Sequence, residues 1–177
     1  MNRRGWIFAT AAAGAAVAGA AWQARRNASL PAAAAPLDAS TQAFWQANFT
    51  QPDGQLLAMA SLRGAPLVLN FWATWCPPCV KEMPEIDRFA RQFTAAGGRV
   101  VGLAVDSPSA VRQYLGRAPV SYTIGLAGFD GTELSRQLGN SSGALPFTAV
   151  FDKAGRIAQR KLGQTSFDEL LLWSRQL

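Results

Sequence analysis

Leu67-Val68-Leu69-Asn70-Phe71-Trp72-Ala73 is an almost unbroken apolar run, introduced by Gly64 and Pro66 and followed closely by Cys76-Pro77-Pro78-Cys79. A run of this kind suits a strand buried on both faces of a largely parallel sheet, since a strand with one wet face would alternate. Pro77 then marks the start of a helix. Its fixed φ suits a first helical residue, where the missing N–H costs nothing. Cys76 therefore falls at or just before a helix N-terminus, where unpaired N–H groups and the positive end of the dipole favour a thiolate. Such a location brings a cysteine pKa down from about 8.5 into the range of roughly 3.5–7.5. Cys79 is three residues further on, on the same face of the first turn and deeper in the helix, within reach of a disulfide with Cys76. The pattern predicts Cys76 as the attacking thiol and Cys79 as the resolving one.

The two cysteines and the absence of histidine exclude a good deal. A tetrahedral zinc site needs four good ligands, and neither a histidine base nor a histidine-bound copper site can be built, so no metal and no cofactor are expected. The competing reading of the pair is a structural disulfide, but so small a loop removes little unfolded-chain entropy, and redox chemistry is the preferred role. A net charge of +6 invites a nucleic-acid reading until it is located. Arg3, Arg4, Arg25 and Arg26 supply four of the 17 Lys+Arg, leaving 13 against 11 Asp+Glu and no aromatic-interleaved basic cluster. No nucleic acid is expected as a partner.

Taken in order, Arg3-Arg4 precede Trp6 to Trp22, seventeen uncharged residues rich in alanine and glycine. Residues 1–26 read as an export signal or a membrane anchor, with Ala18-Gly19-Ala20 fitting a small-x-small cleavage site. Residues 27–39, with Pro31, Ala32-Ala33-Ala34-Ala35 and Pro36, read as an extended linker, and residues 40–177 as one folded domain. Phe44 to Thr50 and Gln55 to Ala60 flank Pro52-Asp53-Gly54 and predict a β-hairpin. The helix opened by Pro77 should run to about Thr94, past an internal Pro84. Val100 to Val105 predicts a strand ending at Asp106, and Ser107-Pro108 the capped start of a helix. A strand over Val120 to Leu126, a short helix over Thr132 to Leu138 and strands over Phe147 to Phe151 and Arg156 to Leu162 follow. The last strand is polar enough for a sheet edge. Ser166-Phe167-Asp168-Glu169 is a capping box opening a final helix. This order predicts an α/β protein with a central sheet and helices on both faces.

Asn70 to Cys79, with Glu82-Met83-Pro84 and Leu145-Pro146-Phe147-Thr148, resembles the thioredoxin-like family, and within it the TlpA/ResA branch. The similarity runs from about Phe44 through Gly163. It implies a thioredoxin-like fold with a mixed sheet, and an exported, often membrane-tethered thiol–disulfide oxidoreductase. It also implies a cis Leu145-Pro146 bond beside the cysteines, although ordinary X–Pro statistics favour trans. The Leu145 main chain would then pair with a substrate strand, while Trp75 forms part of the rim receiving it. Pro77 and Pro78 bring neither charge nor N–H to Cys76. The implied direction is reduction of exported protein disulfides, as in cytochrome or metal-centre maturation; because an exported compartment is oxidising, a membrane electron donor is expected to recharge the chain, which is expected to be a monomer.

Asn70 stands where thioredoxins carry a buried aspartate that moves protons for the inner cysteine; asparagine cannot do this, so the proton acceptor for Cys79 stays open. Glu82 has two readings, a solvated helical charge, which is preferred, and a proton exchanger for Cys79. Trp72 reads as core, Lys81 as surface. Two other functions compete: a metal-carrying or interaction module on the same scaffold, and a disulfide-donating oxidase. A peroxidase is disfavoured because no Pro-x-x-x-Thr-x-x-Cys pattern is present.

Overall fold

The computed structural model describes residues 36–177, so the expected leader and nearly all of the expected linker lie outside the described residues. Leu37–Leu177 form one compact unit. It begins with helix α1 (Ala39–Gln46), capped by Asp38, whose carboxylate accepts from Thr41 N at 2.9 Å and from the Thr41 hydroxyl at 2.8 Å. Strands β1 (Asn48–Thr50) and β2 (Leu56–Ala58) follow as an antiparallel hairpin around the turn at Gly54, where φ is +90°. The hairpin is shorter than expected because Phe44 and Trp45 belong to α1. The buried residues Thr41, Phe44 and Trp45 repeat at i, i+3 and i+4, a helical spacing. Both rings of α1 pack on Phe151, and the Trp45 indole donates to the Gly155 carbonyl at 2.8 Å.

After a short 3₁₀ turn, Met59–Leu62, comes β3 (Leu67–Trp72), with all six residues buried. Helix α2 (Pro77–Ala95) follows, then β4 (Arg99–Ala104), α3 (Pro108–Arg117) and β5 (Thr123–Leu126). The chain closes with α4 (Gly131–Gln137), β6 (Phe147–Phe151), β7 (Ile157–Leu162) and α5 (Phe167–Ser174). Val120 to Tyr122, expected to extend β5, lie outside it. In the seven-stranded sheet, ordered β2-β1-β5-β4-β3-β6-β7, the strands β3, β4 and β5 run parallel and the others pair antiparallel. β3 is flanked by β4 and β6, which is why its apolar run is continuous. β7 takes the expected edge, its side chains alternating half-buried and exposed.

Two apolar layers cover the sheet. One gathers Phe89 and Phe93 of α2, Val111 of α3 and Leu170 of α5 against Val68, Trp72 and Val150; the other gathers Phe44 and Trp45 of α1 and Leu138 after α4 against Leu69, Phe71 and Phe151. Both cysteines belong to the first layer. The capping box of α5 is only half formed. Ser166 Oγ accepts from Glu169 N at 3.4 Å, but the Glu169 carboxylate pairs with Lys161 and with the Thr165 hydroxyl. A cation on the neighbouring strand outcompetes a backbone N–H that solvent can also reach.

Candidate active site

β3 ends at Trp72, and its ladder to β4 is prolonged by the Val105 N–H donating to the Trp72 carbonyl at 2.8 Å. The chain then turns, with Cys76 N donating to the Ala73 carbonyl at 3.3 Å, and enters α2 at Pro77. Cys76 is the N-cap residue: its backbone is extended (φ −103°, ψ 100°) and its Sγ accepts the Cys79 N–H at 3.3 Å. The two sulfurs are bonded to each other as a disulfide, with the Cα atoms 5.3 Å apart. Cys79 is 0% exposed and Cys76 4%, so what little of the pair reaches the surface belongs to Cys76. Pro77 and Pro78 form the exposed shoulder of the helix start, and Trp75 projects at 60% exposure beside it. Trp72 fills the core.

The turn is held from the connection that follows β4. Asp106 is buried, and its Oδ2 accepts from Thr74 N at 2.9 Å and from the Thr74 hydroxyl at 2.6 Å, while Oδ1 accepts from Ser107 N at 2.7 Å. Sequence reading missed this clamp. An aspartate after an apolar run reads simply as the end of a strand, and its partner is 32 residues earlier.

The Leu145-Pro146 bond is cis. β6 pairs antiparallel with β3, Phe147 opposite Phe71, which carries Pro146 to the end of β3 from which the chain leaves for Cys76. Pro146 is buried and its carbonyl accepts from Gly163 N at 2.8 Å. Leu145 is half-buried, its side chain against both apolar layers, and its main-chain N–H and C=O make no hydrogen bond among the described residues.

Glu82 departs from expectation. It is not a solvated charge but wholly buried, one turn beyond Cys79 on α2. Oε1 accepts from Asn70 Nδ2 at 2.8 Å and Oε2 from Thr165 N at 2.6 Å, while Asn70 Nδ2 also reaches Thr148 Oγ1 at 3.2 Å. Loss of hydration pushes the Glu82 carboxyl up to about 7; the hydrogen bonds from Thr165 and Asn70 and the charge of Lys161 pull the other way without cancelling it. Asn70 Oδ1 is buried without a hydrogen-bond partner among the described residues. Lys81 is exposed, as expected. Among the described residues no three His, Cys, Asp or Glu side chains are grouped to hold a metal ion.

A family model described as Redoxin matches residues 27–170. The chain belongs to the Redoxin family. The thiol-disulfide oxidoreductase ResA of Bacillus cereus is 28% identical over 123 residues, 68% of each chain. The thiol:disulfide interchange protein DsbE of Pseudomonas aeruginosa is 33% identical over 127 residues, 72% of this chain and 66% of its own. Among solved structures, Mycobacterium tuberculosis DsbF in mixed oxidised and reduced forms superposes with a TM-score of 0.66 at 26% identity, covering 80% of this chain and 98% of that one. This redoxin is thus a thiol–disulfide oxidoreductase with a thioredoxin-like fold, and the expected TlpA/ResA-type kinship holds.

Proposed function

We propose that this chain reduces disulfides of exported proteins, with Cys76 as the attacking thiol and Cys79 as the resolving one. The observation that carries the reading is the placement of Cys76 at the helix cap, at the surface end of the pair, with its Sγ already accepting an N–H. In the reduced chain the Cys76 thiolate attacks one sulfur of a substrate disulfide. A mixed disulfide forms, and the departing substrate thiolate takes a proton from solvent. Cys79 then gives its proton to Glu82 and attacks Cys76 Sγ, so that the second substrate sulfur leaves as a thiolate. Two electrons pass to the substrate, and the chain ends with Cys76 joined to Cys79, the bond present here.

Glu82 suits the proton step because burial holds its carboxyl near neutrality, where it can take and return a proton. Asn70, in the place where thioredoxins carry the acid, donates to that carboxylate instead. Leu145 and cis-Pro146 are the platform for an extended substrate segment, with Trp75 at its rim; the Leu145 main chain, unpaired among the described residues, supports this. Residues 1–26 direct export and tether the domain through residues 27–39, and a membrane dithiol protein returns the electrons; the uncharged run after Arg3-Arg4 supports export. No helix of the described residues is long and apolar enough to cross a membrane.

Trapping tests the assignment. Cys79→Ala expressed in its own cells should accumulate mixed disulfides through Cys76, whereas Cys76→Ala should accumulate none and lose reductase activity. Adducts on Cys79 in the Cys76→Ala variant would reverse the two roles.

A further inference from the structure

The loop that joins α4 to β6 is exposed at Gly139, Ser141, Ser142 and Ala144, yet Asn140 within it is only 2% exposed. Both ends of its side chain are used. Nδ2 donates to the Ala144 carbonyl at 2.8 Å and to Ser135 Oγ at 3.2 Å, and Oδ1 accepts from Ser142 Oγ at 3.1 Å. Ser142 Oγ in turn accepts from Ala144 N at 3.2 Å. The backbone repeats the closure: Asn140 N donates to Ser135 O at 3.0 Å, and Gly143 N to Asn140 O at 2.9 Å. Gly143 has φ +70°, and a Cβ there would meet the Arg136 guanidinium at 2.8 Å, so the loop closes tightly on α4. The outcome is asymmetric. Both main-chain groups of Ala144 are consumed inside the loop, and both main-chain groups of the next residue, Leu145, are left unpaired among the described residues.

The geometry points to Asn140 as a positioning residue: through Ala144 it fixes the Leu145 main chain for pairing with an extended polypeptide carrying the target disulfide. This rests on the reading of Leu145-Pro146 as the substrate platform. A polar loop of this composition, left unbraced, would have to be ordered when the substrate binds, and that conformational entropy would be subtracted from affinity. The buried amide meets the cost during folding. Its effect is confined to substrates that have a backbone to pair. A small dialkyl disulfide has none and reaches Cys76 without using the loop.

The test compares the rates at which the reduced full chain attacks an extended peptide disulfide and hydroxyethyl disulfide. Wild type should prefer the peptide. Asn140→Asp keeps the shape but removes both donors and sets a carboxylate against the Ala144 carbonyl. It should slow the peptide reaction about tenfold, mainly through KM, and leave hydroxyethyl disulfide and the glutathione equilibrium within about twofold. Ser142→Ala, on an exposed side chain, should show the same selective loss at about threefold and carries the test if Asn140→Asp does not fold. A wild-type preference that survives in both variants, or a loss equal for both substrates, overturns the role of Asn140. Absence of any preference in wild type instead removes the platform, and this inference with it.

Discussion

Glu82 shows how burial converts an ordinary helix residue into a titrating device. Its carboxyl is wholly buried and accepts two hydrogen bonds, but lost hydration dominates and holds it near 7 against an ordinary 4.5. A carboxyl raised on folding binds its proton more tightly in the folded than in the unfolded chain. Its contribution to stability is therefore present below about pH 4.5 and declines as pH rises towards 7, beyond which the loss is constant. The difference of about 2.5 pH units corresponds to roughly 3 kcal/mol. Urea unfolding of the oxidised protein at pH 5 and pH 8 should show a loss of that order in wild type and a much flatter profile in Glu82→Gln. Equal slopes for the two proteins would place the titration elsewhere. The protonated form has a ready acceptor nearby: Asn70 Oδ1 is buried without a partner among the described residues and needs only an amide rotation to face Glu82. The burial was not legible in the sequence, although proton exchange with Cys79 stood as the second of the two readings of Glu82. Glu82 follows Lys81 near the start of an amphipathic helix, and the N–H that fixes it belongs to Thr165, 83 residues away.

At the scale of elements, the site is a turn between β3 and α2 held by a residue of the connection that follows β4. Asp106, two residues beyond β4 in the connection to α3, accepts three hydrogen bonds, two of them from Thr74. Asp106→Ala should destabilise the fold by about 1–3 kcal/mol, since the Thr74 and Ser107 N–H groups lose their partner at a partly buried position. It should slow attack on peptide and on small disulfides alike, because what it loosens is the turn that presents Cys76. Denaturant midpoints and the two rates check this, and the shared loss separates Asp106 from Asn140. The elements themselves were largely legible. β3, α2, β4 and β6 emerge within a residue or two of their expected bounds, because continuous apolar runs and the caps Cys76-Pro77 and Ser107-Pro108 act locally. Helix α1 was missed because its spacing rests on only three buried residues beside a strong turn signature at Pro52-Asp53-Gly54. The Asn140 brace was equally hidden, since Asn-Ser-Ser-Gly reads as ordinary loop composition.

At the scale of the whole molecule, the proposed direction of electron flow rests on the surroundings of the disulfide. The disulfide is built into the apolar layer between the sheet and α2, with Cys79 fully enclosed, so the couple answers to few polar groups. A strongly oxidising pair stabilises the nucleophilic thiolate heavily, and the groups able to do this are N–H donors and cations at the helix start. Here the only hydrogen bond to Cys76 Sγ among the described residues comes from Cys79 N, at 3.3 Å, because Pro77 and Pro78 supply no N–H. There is no histidine between the cysteines to add charge. On the proposed reading, a Cys76 thiolate with this single N–H donor gains little stabilisation, which would leave the Cys76–Cys79 disulfide hard to reduce and make the dithiol a donor of electrons. In an oxidising exported compartment such a dithiol is consumed with each turnover and needs a dedicated donor. The decisive measurement is the equilibrium of the full chain against mixtures of reduced and oxidised glutathione. The couple should lie on the reducing side of the glutathione couple, with the chain still mostly oxidised where glutathione is mostly reduced. A chain that stays reduced in a predominantly oxidised glutathione buffer would instead make this protein a donor of disulfides.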